Sequence, residues 1–194
     1  MVNKDPAEVA KSLRNAAELG NAKAQYGLAL LYASGQGVKQ NARQALAWYL
    51  KAAEQGFAPA QCILGNKYAS GQGVPQDYRK AAFWYIKAAE QGDARAQRYL
   101  GLLYDDGEGV ARDIQEAEYW YLKAAEQGDP ASQYWVCFYL VNASDVDARL
   151  TRDESQAVTW FQRAAEAGDV DAQKDLAQAL LHGRGVVRDE SAAA

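Results

Sequence analysis

The sequence repeats a glycine motif that could, in another setting, bind phosphate. The pattern G-x-G-V begins at Gly35, Gly71, Gly107 and Gly183, and a glycine-rich loop before a helix can surround a phosphate with backbone N–H groups. A phosphate loop of that kind occurs once, follows a strand and usually carries a lysine. Because this motif recurs in four copies of a repeat with no strand pattern before it, we interpret it as a structural turn.

The single histidine and the two cysteines do not form a pattern that favours metal binding or nucleophilic catalysis. A zinc site usually brings four Cys, His or carboxylate ligands together, and a Cys–His nucleophile pair needs hydrogen-bond contact. His182 holds the same repeat position as Ser34, which we expect in a loop, and it is several repeats away from Cys62. We therefore expect His182 to be solvated or to cap a helix.

The remaining polar groups also lack a catalytic arrangement. The acidic pair Asp105 and Asp106 is expected at a helix end in contact with solvent, and no serine lies in a nucleophile-elbow sequence. Cys62 and Cys137 are too few for a disulfide framework and hold different repeat positions, so we expect no disulfide between them. The sequence thus predicts no catalytic residue, no cofactor site and no metal site, and a protein that is not an enzyme.

A repeat of 36 residues organises all of these positions. Each copy reads AQ-x-x-L-x-x-x-Y, then G-x-GV, then Asp or Asn, then A-x-x-W-Y-x-KAA-x-x-G. A fixed period of about 20 to 50 residues is typical of a solenoid. The columns that keep this step include Gly20, Gly56, Gly92 and Gly128; Gln25, Gln61, Gln97 and Gln133; and Trp48, Trp84 and Trp120.

Each copy contains two segments with helical spacing. In copy two, Ala60 and Leu64 begin one apolar stripe, and Ala81 and Tyr85 begin another beside Trp84. Because a pair of short helices cannot bury its apolar face alone, successive pairs must stack into one core, in which we expect the Trp and Tyr columns. Each second helix should end at a left-handed glycine. The N-caps of these helices are expected at Asn41, Asp77, Asp113, Asp153 and Asp189.

The predicted organisation is irregular at both ends and in copy four. Residues 1–19 are expected to form an N-terminal capping helix, a worn half-repeat, and residues 20–194 the solenoid. Copy four lacks both loop glycines and is four residues longer between Leu140 and Asp153, either through loop variation or as a partner-specific lip. The repeats are expected at about 22–57, 58–93, 94–129, 130–169 and 170–194, the last being truncated.

The repeated motif resembles the Sel1-like repeat, a bacterial relative of the tetratricopeptide repeat. The resemblance covers about residues 20–194 and is most specific in copies one to three. It implies an all-α fold, a right-handed α/α superhelical solenoid, and an adaptor or scaffold role in protein complexes. Secreted cysteine-rich members of the family carry a regular pair of cysteines per repeat, a pattern that Cys62 and Cys137 do not reproduce.

The resemblance also implies a binding surface, because the first helix of each tetratricopeptide repeat lines a concave face. The corresponding positions here vary between copies while the core columns stay constant, and aromatic and arginine side chains are common interface anchors. Packing of Tyr134 and Phe138 within the groove is the alternative. This set, called the first-helix row below, comprises Lys23, Tyr26, Leu30, Asn66, Arg95, Arg98, Leu102, Asp105, Tyr134, Phe138, Lys174 and Gln178, together with Cys62 and Val141.

The composition limits the classes of partner and the cellular compartments that we expect for this protein. The chain is 49% hydrophobic and 24% charged with a net charge of −4, which indicates a folded protein without the basic surface that binds nucleic acid. No stretch approaches the roughly 20 apolar residues of a membrane span, and residues 1–12 lack a signal-peptide core. A complete chain is expected in the cytoplasm, and a chain that has lost a signal peptide in the periplasm or outside the cell.

Three functions are consistent with these observations. The first is a non-catalytic interaction scaffold or adaptor that binds a protein or peptide in the concave groove, where basic side chains would favour acidic groups. The second is a structural array that self-associates through its open C-terminal end. The third, suggested by cysteine-rich relatives, is binding or hydrolysis of β-lactam or cell-wall ligands, which the missing cysteine pattern disfavours.

Overall fold

The computed structural model of the protein describes residues 5–142, 154–168 and 170–182. Within these ranges the chain forms ten α-helices and no strand, which confirms the expected all-α fold class. The caps at Asp153 and Asp189, the fourth glycine loop, the irregular loop of copy four and the C-terminal end lie outside the described residues. The helices are α1 (Pro6–Glu18), α2 (Ala22–Ser34), α3 (Ala42–Glu54), α4 (Ala58–Ser70), α5 (Tyr78–Ala89), α6 (Ala94–Asp106), α7 (Ile114–Glu126), α8 (Pro130–Asn142), α9 (Glu154–Glu166) and α10 (Val170–His182).

The helices belong to two compact units, Met1–Ala96 and Gln97–Ala194, whose boundary lies within α6. In the first unit α1 packs against α2, α2 against α3, α3 against α4, and α4 against α5. In the second unit α7 packs against α8, α8 against α9, and α9 against α10. Each of these helices contacts its sequence neighbour, which is the contact pattern of stacked helical pairs.

The helix ends carry the capping residues expected from the sequence. The side chains of Asn41, Asp77 and Asp113 each accept a hydrogen bond from the backbone N–H three residues later, at 3.1, 3.0 and 3.1 Å. These bonds satisfy a donor that has no partner within the helix. After α3, Gly56 has a φ of +88°, a left-handed conformation that ends the helix and that L side chains rarely adopt.

The tyrosine of each W-Y pair, and not the tryptophan, fills the core. Tyr85 in the first unit and Tyr121 in the second are almost completely buried, whereas Trp84 and Trp120 are only half-buried. Our expectation for the tryptophan column is therefore confirmed only in part, because Trp48 and Trp84 are partly buried and pack against the edge of the core. Consecutive helix residues differ by about 100° around the axis, so the inward stripe that carries the tyrosine turns the tryptophan toward the surface. The buried position is occupied in the other copies by Tyr49 and Phe161.

The buried tyrosine ring packs directly on a glycine of the neighbouring first helix. A Cβ atom at residue 65 would overlap the ring of Tyr85, and one at residue 101 would lie 2.9 Å from the ring of Tyr121. Because protein interiors are close-packed, a rigid ring at a buried position has no space into which to withdraw. Copies one and four have Ala29 and Cys137 at this position, so the close fit belongs to copies two and three.

In α2 and α4 a buried glutamine joins the first helix to the second helices on either side of it. Gln61 Nε2 donates to the carbonyl oxygen of Ala53 in the last turn of α3 at 3.0 Å, and Gln61 Oε1 accepts from Gln91 Nε2 beyond α5 at 2.7 Å. The same arrangement surrounds Gln25. Carbonyls in the last turn of a helix lack the regular helical partner. The Ala53 carbonyl accepts from the N–H of Gly56 at 2.9 Å, and Gln61 adds a second hydrogen bond to it while connecting three helices.

The contact between Tyr85 and residue 65 predicts the sign of a substitution that helix propensity alone would misjudge. Alanine is about 1 kcal/mol better than glycine inside a helix, yet we expect Gly65→Ala to lower the free energy of unfolding by about 1–3 kcal/mol, since the added methyl group overpacks the core. Chemical denaturation measures the change.

Gly27→Ala in α2 is the matched control. A Cβ there would lie 3.4 Å from the Leu13 side chain, an ordinary contact, so we expect this variant to be as stable as the parent or more stable. If both alanine variants gave the same denaturation midpoint, the proposed tight fit of Tyr85 would be wrong.

Candidate partner-binding surface

In the first unit the first-helix row lies on α2, α4 and the first turn of α6. Lys23 and Arg95 are exposed, Tyr26 and Asn66 are half-buried, and 42% of the Leu30 surface is exposed. Lys23 and Leu30 therefore present a cationic and an apolar side chain to solvent on the same helix. A contiguous exposed surface of this mixed type can bind a partner, because apolar area gives affinity and charge gives selectivity.

Contrary to our expectation, Cys62 does not belong to the exposed row, because it is completely buried. Its thiol ends one atom beyond Cβ, so it does not reach the surface as Tyr26 does at the same repeat position. Cys137 is buried as well, and no disulfide joins the two cysteines. In the described part of the chain no group of three or more His, Cys, Asp or Glu residues could hold a metal ion.

His182 requires a second correction. It is the last residue of α10 and does not lie in a loop. The reason is that its repeat position closes a first helix, as Ser34 closes α2.

An aromatic cluster connects α2 with the start of α4 in the first unit. The ring of Tyr26 lies 5.8 Å from that of Tyr49 on α3 and 5.3 Å from that of Phe57, measured between centroids. Phe57 is the N-cap residue of α4 and makes no capping hydrogen bond through its side chain. Lys67 Nζ lies 6.0 Å from the centroid of the Tyr49 ring, at the outer limit of a cation–π contact.

Burial changes the acidity of Tyr49 at the base of this cluster. Removal of its hydroxyl from water raises the pKa of Tyr49 to about 12, and the nearby hydroxyl of Tyr26 adds to the shift. Further along α4, Asn66 Oδ1 accepts a hydrogen bond from Tyr85 Oη at 2.6 Å. The core tyrosines thus contact two half-buried members of the row: Tyr49 packs against Tyr26, and Tyr85 donates to Asn66.

In the second unit the row lies on α6, α8 and α10. Its half-buried members are Arg98, Leu102, Asp105 and Tyr134, and its exposed members are Phe138, Lys174 and Gln178. The side chain of Val141 lies outside the described residues.

Arg98 is held by a contact within the protein. Its Nε atom lies 3.1 Å from Asp129 Oδ2, and its guanidinium group lies 4.5 Å from the centroid of the Tyr99 ring. Asp129 also caps α8, because its Oδ2 accepts hydrogen bonds from the backbone N–H and the hydroxyl of Ser132 at 3.0 and 2.8 Å. Arg98 therefore positions the start of α8.

Aromatic side chains form most of the exposed surface of α8. Phe138 keeps 41% of its surface exposed, although its ring lies edge-on to both Trp135 and Tyr139 at 5.7 Å. Burial, together with a hydrogen bond to Asp105, raises the pKa of Tyr139 above its ordinary value. Phe138 is thus held in place by its neighbours while one side of the ring faces solvent.

Two residues near the row were missed by the sequence analysis, Phe57 and Lys67. Both depart from their own columns, since residue 57 is otherwise Asn21, Asp93 or Asp129, and residue 67 is otherwise an apolar residue. That difference is visible in the sequence once the copies are aligned. Residue 57 lies at the boundary between two repeats, where the sequence pattern does not indicate a binding role.

Comparison with known protein families identifies the chain. The family model described as the Sel1 repeat matches residues 22–57, 58–93, 94–129, 130–169 and 170–194. The chain belongs to the Sel1 repeat family. Sel1 repeat proteins generally mediate protein–protein interaction and are typically non-catalytic scaffolds with a superhelical all-α repeat fold. None of the described helices is both long and apolar enough to cross a membrane.

Solved structures of bacterial proteins resemble this Sel1 repeat protein over most of its length. A Sel1 repeat protein from Oxalobacter formigenes is 36% identical with a TM-score of 0.86, over 99% of this chain and 77% of that one. The protective antigen c5321 of uropathogenic Escherichia coli is 32% identical (TM-score 0.57; 95% and 46%). Helicobacter pylori cysteine rich protein B is 28% identical (TM-score 0.53; 68% and 95%). No curated protein matches the sequence.

The raised pKa of Tyr49 predicts how the stability of this Sel1 repeat protein responds to alkali. In the unfolded chain a tyrosine ionises at about pH 10, whereas folded Tyr49 keeps its proton up to about pH 12. The contribution of the protonated Tyr49 side chain to the free energy of unfolding is therefore complete below about pH 10. It is lost as the pH rises through about 12. Urea denaturation at a series of alkaline pH values should therefore show a free energy of unfolding that falls in this range.

Tyr49→Phe should reduce the slope of that fall, because phenylalanine cannot ionise. Tyr119→Phe changes a half-buried tyrosine of a second helix outside the core column and serves as the control. An identical alkaline slope for Tyr49→Phe and the parent would contradict the assignment.

Proposed function

We propose that this Sel1 repeat protein is a non-catalytic scaffold that binds a segment of a protein partner on its first-helix row. The observation that carries most weight is that Leu30 and Phe138, at the same repeat position, keep 42% and 41% of their surfaces exposed. Each is a large apolar side chain, and the ring of Phe138 also lies edge-on to those of Trp135 and Tyr139. Apolar groups of this kind favour association because binding removes their surface from water.

The polar members of the row divide into groups that contact the protein and groups that are available to a partner. Arg98 belongs to the first kind, since Asp129 holds it. Lys23 and Lys174 are exposed and belong to the second, whereas the exposed Arg95 lies 3.8 Å from Asp93 in an ion pair. A partner that buries Leu30 or Phe138 would meet these cations at the edge of the contact, where charge selects the partner more than it adds affinity.

The expected mode of binding is the docking of an extended or helical segment along the first helices. First helices supply side chains at intervals of one turn, so that Tyr26 and Leu30 form a short stripe on α2, and Tyr134 and Phe138 form the matching stripe on α8. Stripes of this spacing suit alternate apolar side chains of a bound segment.

Substitution of the two exposed apolar residues tests this function. Protein partners are captured with the immobilised parent, identified by mass spectrometry, and purified for calorimetric titration. We expect Leu30→Ser and Phe138→Ser each to weaken binding of such a partner roughly tenfold, because each substitution removes a buried apolar anchor worth about 1–3 kcal/mol.

Phe83→Ser is the matched control, since Phe83 on α5 is 52% exposed but lies on a second helix outside the row. Arg98→Ala is not used, because it would also disturb the cap of α8. If the control weakened binding while Leu30→Ser and Phe138→Ser left it unchanged, the partner surface would lie on the second helices and the proposal would be wrong.

A further inference from the structure

The repeat departs from its own pattern at one place in the first unit, on and next to α4. The departing residues are Phe57, where the other copies have Asn or Asp, and Lys67, where they have an apolar or aromatic residue. Asn66, next to Lys67, belongs to the first-helix row, whose positions vary from copy to copy. Together with Tyr26 and Leu30 on α2, the exposed or half-buried members Phe57, Asn66 and Lys67 are called the α4 cluster. A repeat whose core columns are constant provides its own reference, so a local group of exceptions points to a role other than packing.

The first exception removes a helix cap. In the same column, the side chains of Asn21 and Asp93 accept the backbone N–H of Ala24 and Ala96 at 2.9 and 3.0 Å. Phe57 has no side-chain acceptor, and the N–H of Ala60 donates instead to the Phe57 backbone carbonyl at 3.0 Å. In its place the chain gains an aromatic ring 5.3 Å from that of Tyr26. An asparagine or aspartate would stabilise the helix end better, so the ring is present at the expense of local stability.

The second exception introduces a charge. Leu103 and Tyr139 are buried at the position of Lys67 in other copies, whereas Lys67 is half-buried with its ammonium group near the Tyr49 ring. Within the part of the chain that the structure describes, the salt bridges involve other residues. A half-buried lysine beside aromatic rings is a favourable site for a carboxylate from outside, because part of its hydration is already lost.

The row residue next to Lys67 supplies an oriented amide. Asn66 stands where α2 carries Leu30, and its Oδ1 accepts the hydrogen bond from Tyr85 Oη. That bond fixes the amide with its oxygen toward the core, so the two N–H groups of Nδ2 are turned the other way. Asn66 and Lys67 are consecutive residues, so this turn of α4 carries both an amide N–H donor and an ammonium group, two groups that bind carboxylates.

The charges of α2 and α4 have a single sign. The sequences AKAQYGLALLYAS and APAQCILGNKYAS contain Lys23 and Lys67 and no aspartate or glutamate. Acidic residues of the same copies, such as Glu54 and Asp77, lie at the ends of second helices. A partner segment on α2 and α4 therefore meets only positive charge from these two helices, which selects for an acidic segment.

We propose that the α4 cluster binds a short peptide segment of a partner protein that contains an apolar residue and, some residues away, an aspartate or glutamate. The apolar side chain packs against Tyr26, Leu30 and Phe57, and the carboxylate is held by Lys67 and Asn66. Phe57 and Lys67 are separated by about 15 Å along α4, at about 1.5 Å per residue. An extended segment covers this distance with about four or five residues, so the two groups should be about four positions apart. This inference rests on the proposed function and names the chemistry of the segment that the first unit recognises.

The probe is a phage-displayed library of random 12-residue peptides, selected on the immobilised full chain. We expect the enriched peptides to contain Asp or Glu about four positions from an aromatic or aliphatic residue. A synthetic peptide of the most enriched sequence, labelled with fluorescein, then gives a dissociation constant by anisotropy. The same peptide with its acid replaced by the corresponding amide should bind at least tenfold more weakly.

The repeat itself supplies variants that preserve the fold. Lys67→Leu introduces the residue found at Leu31 and Leu103, and Phe57→Asn introduces the residue found at Asn21. Each should weaken the peptide at least tenfold, while Phe57→Asn leaves the denaturation midpoint equal to that of the parent or higher. Lys87→Leu, which removes an exposed lysine from α5, is the control and should bind as the parent does.

The outcomes separate this inference from the proposed function. Enriched peptides without acidic residues, no enrichment over a blank surface, or full binding by Lys67→Leu and Phe57→Asn would each overturn the α4 cluster as an acidic-peptide site. In any of these cases the first-helix row still stands if Leu30→Ser and Phe138→Ser weaken a captured partner. Loss of the peptide in both α4 variants but not in Lys87→Leu supports the inference.

Discussion

The hydrogen bond from a buried glutamine to the last turn of the preceding second helix is the contact on which the remaining structure depends. The amide of Gln61 must direct Nε2 to the Ala53 carbonyl and Oε1 to Gln91, and a buried amide left unpaired would cost about 1–3 kcal/mol. The observed rotation of α4 about its axis satisfies both bonds. That rotation brings Gly65 under the Tyr85 ring and leaves Asn66 half-buried in the row, so core packing and the binding surface follow from the same constraint.

The sequence predicts the parts of this structure that depend on local or periodic chemistry. The helices, and caps such as Asn41 and Asp113, follow from spacing and from interactions within a few residues. The role of the glutamine column cannot be predicted from the sequence. The 36-residue period shows that a glutamine recurs at the position of Gln61, but it does not show which carbonyl oxygen the side chain contacts. The burial of Tyr85 in place of Trp84 depends on a rotation of about 100°, which a stripe of apolar residues does not resolve. The first-helix row came from resemblance, and its residues remain a prediction.

An array in which each helical pair contacts only its neighbours can accept a local loss of stability. Its total stability is roughly a sum of contributions from single repeats and from adjacent pairs, so the missing cap at Phe57 affects α4 and its immediate contacts. A protein with one undivided core would transmit such a defect more widely. This explains how a Sel1 repeat protein can keep columns such as Tyr85 and Gln61 constant while Phe57 and Lys67 depart from their patterns.

One pair of positions shows how the same scaffold can carry different surfaces. Tyr26 and Phe57 form an aromatic contact in the first unit, and Arg98 and Asp129 form an ion pair at the corresponding positions in the second. In both units the pair connects a first helix to the N-cap of the next one. Asp129 also caps α8 and pairs with the charge of Arg98. In the aromatic pair, neither side chain accepts a capping hydrogen bond. The Arg98–Asp129 ion pair stabilises the fold more than the Tyr26–Phe57 contact does at the corresponding positions. The aromatic pair is therefore better explained by the surface that it presents to a partner than by its contribution to stability.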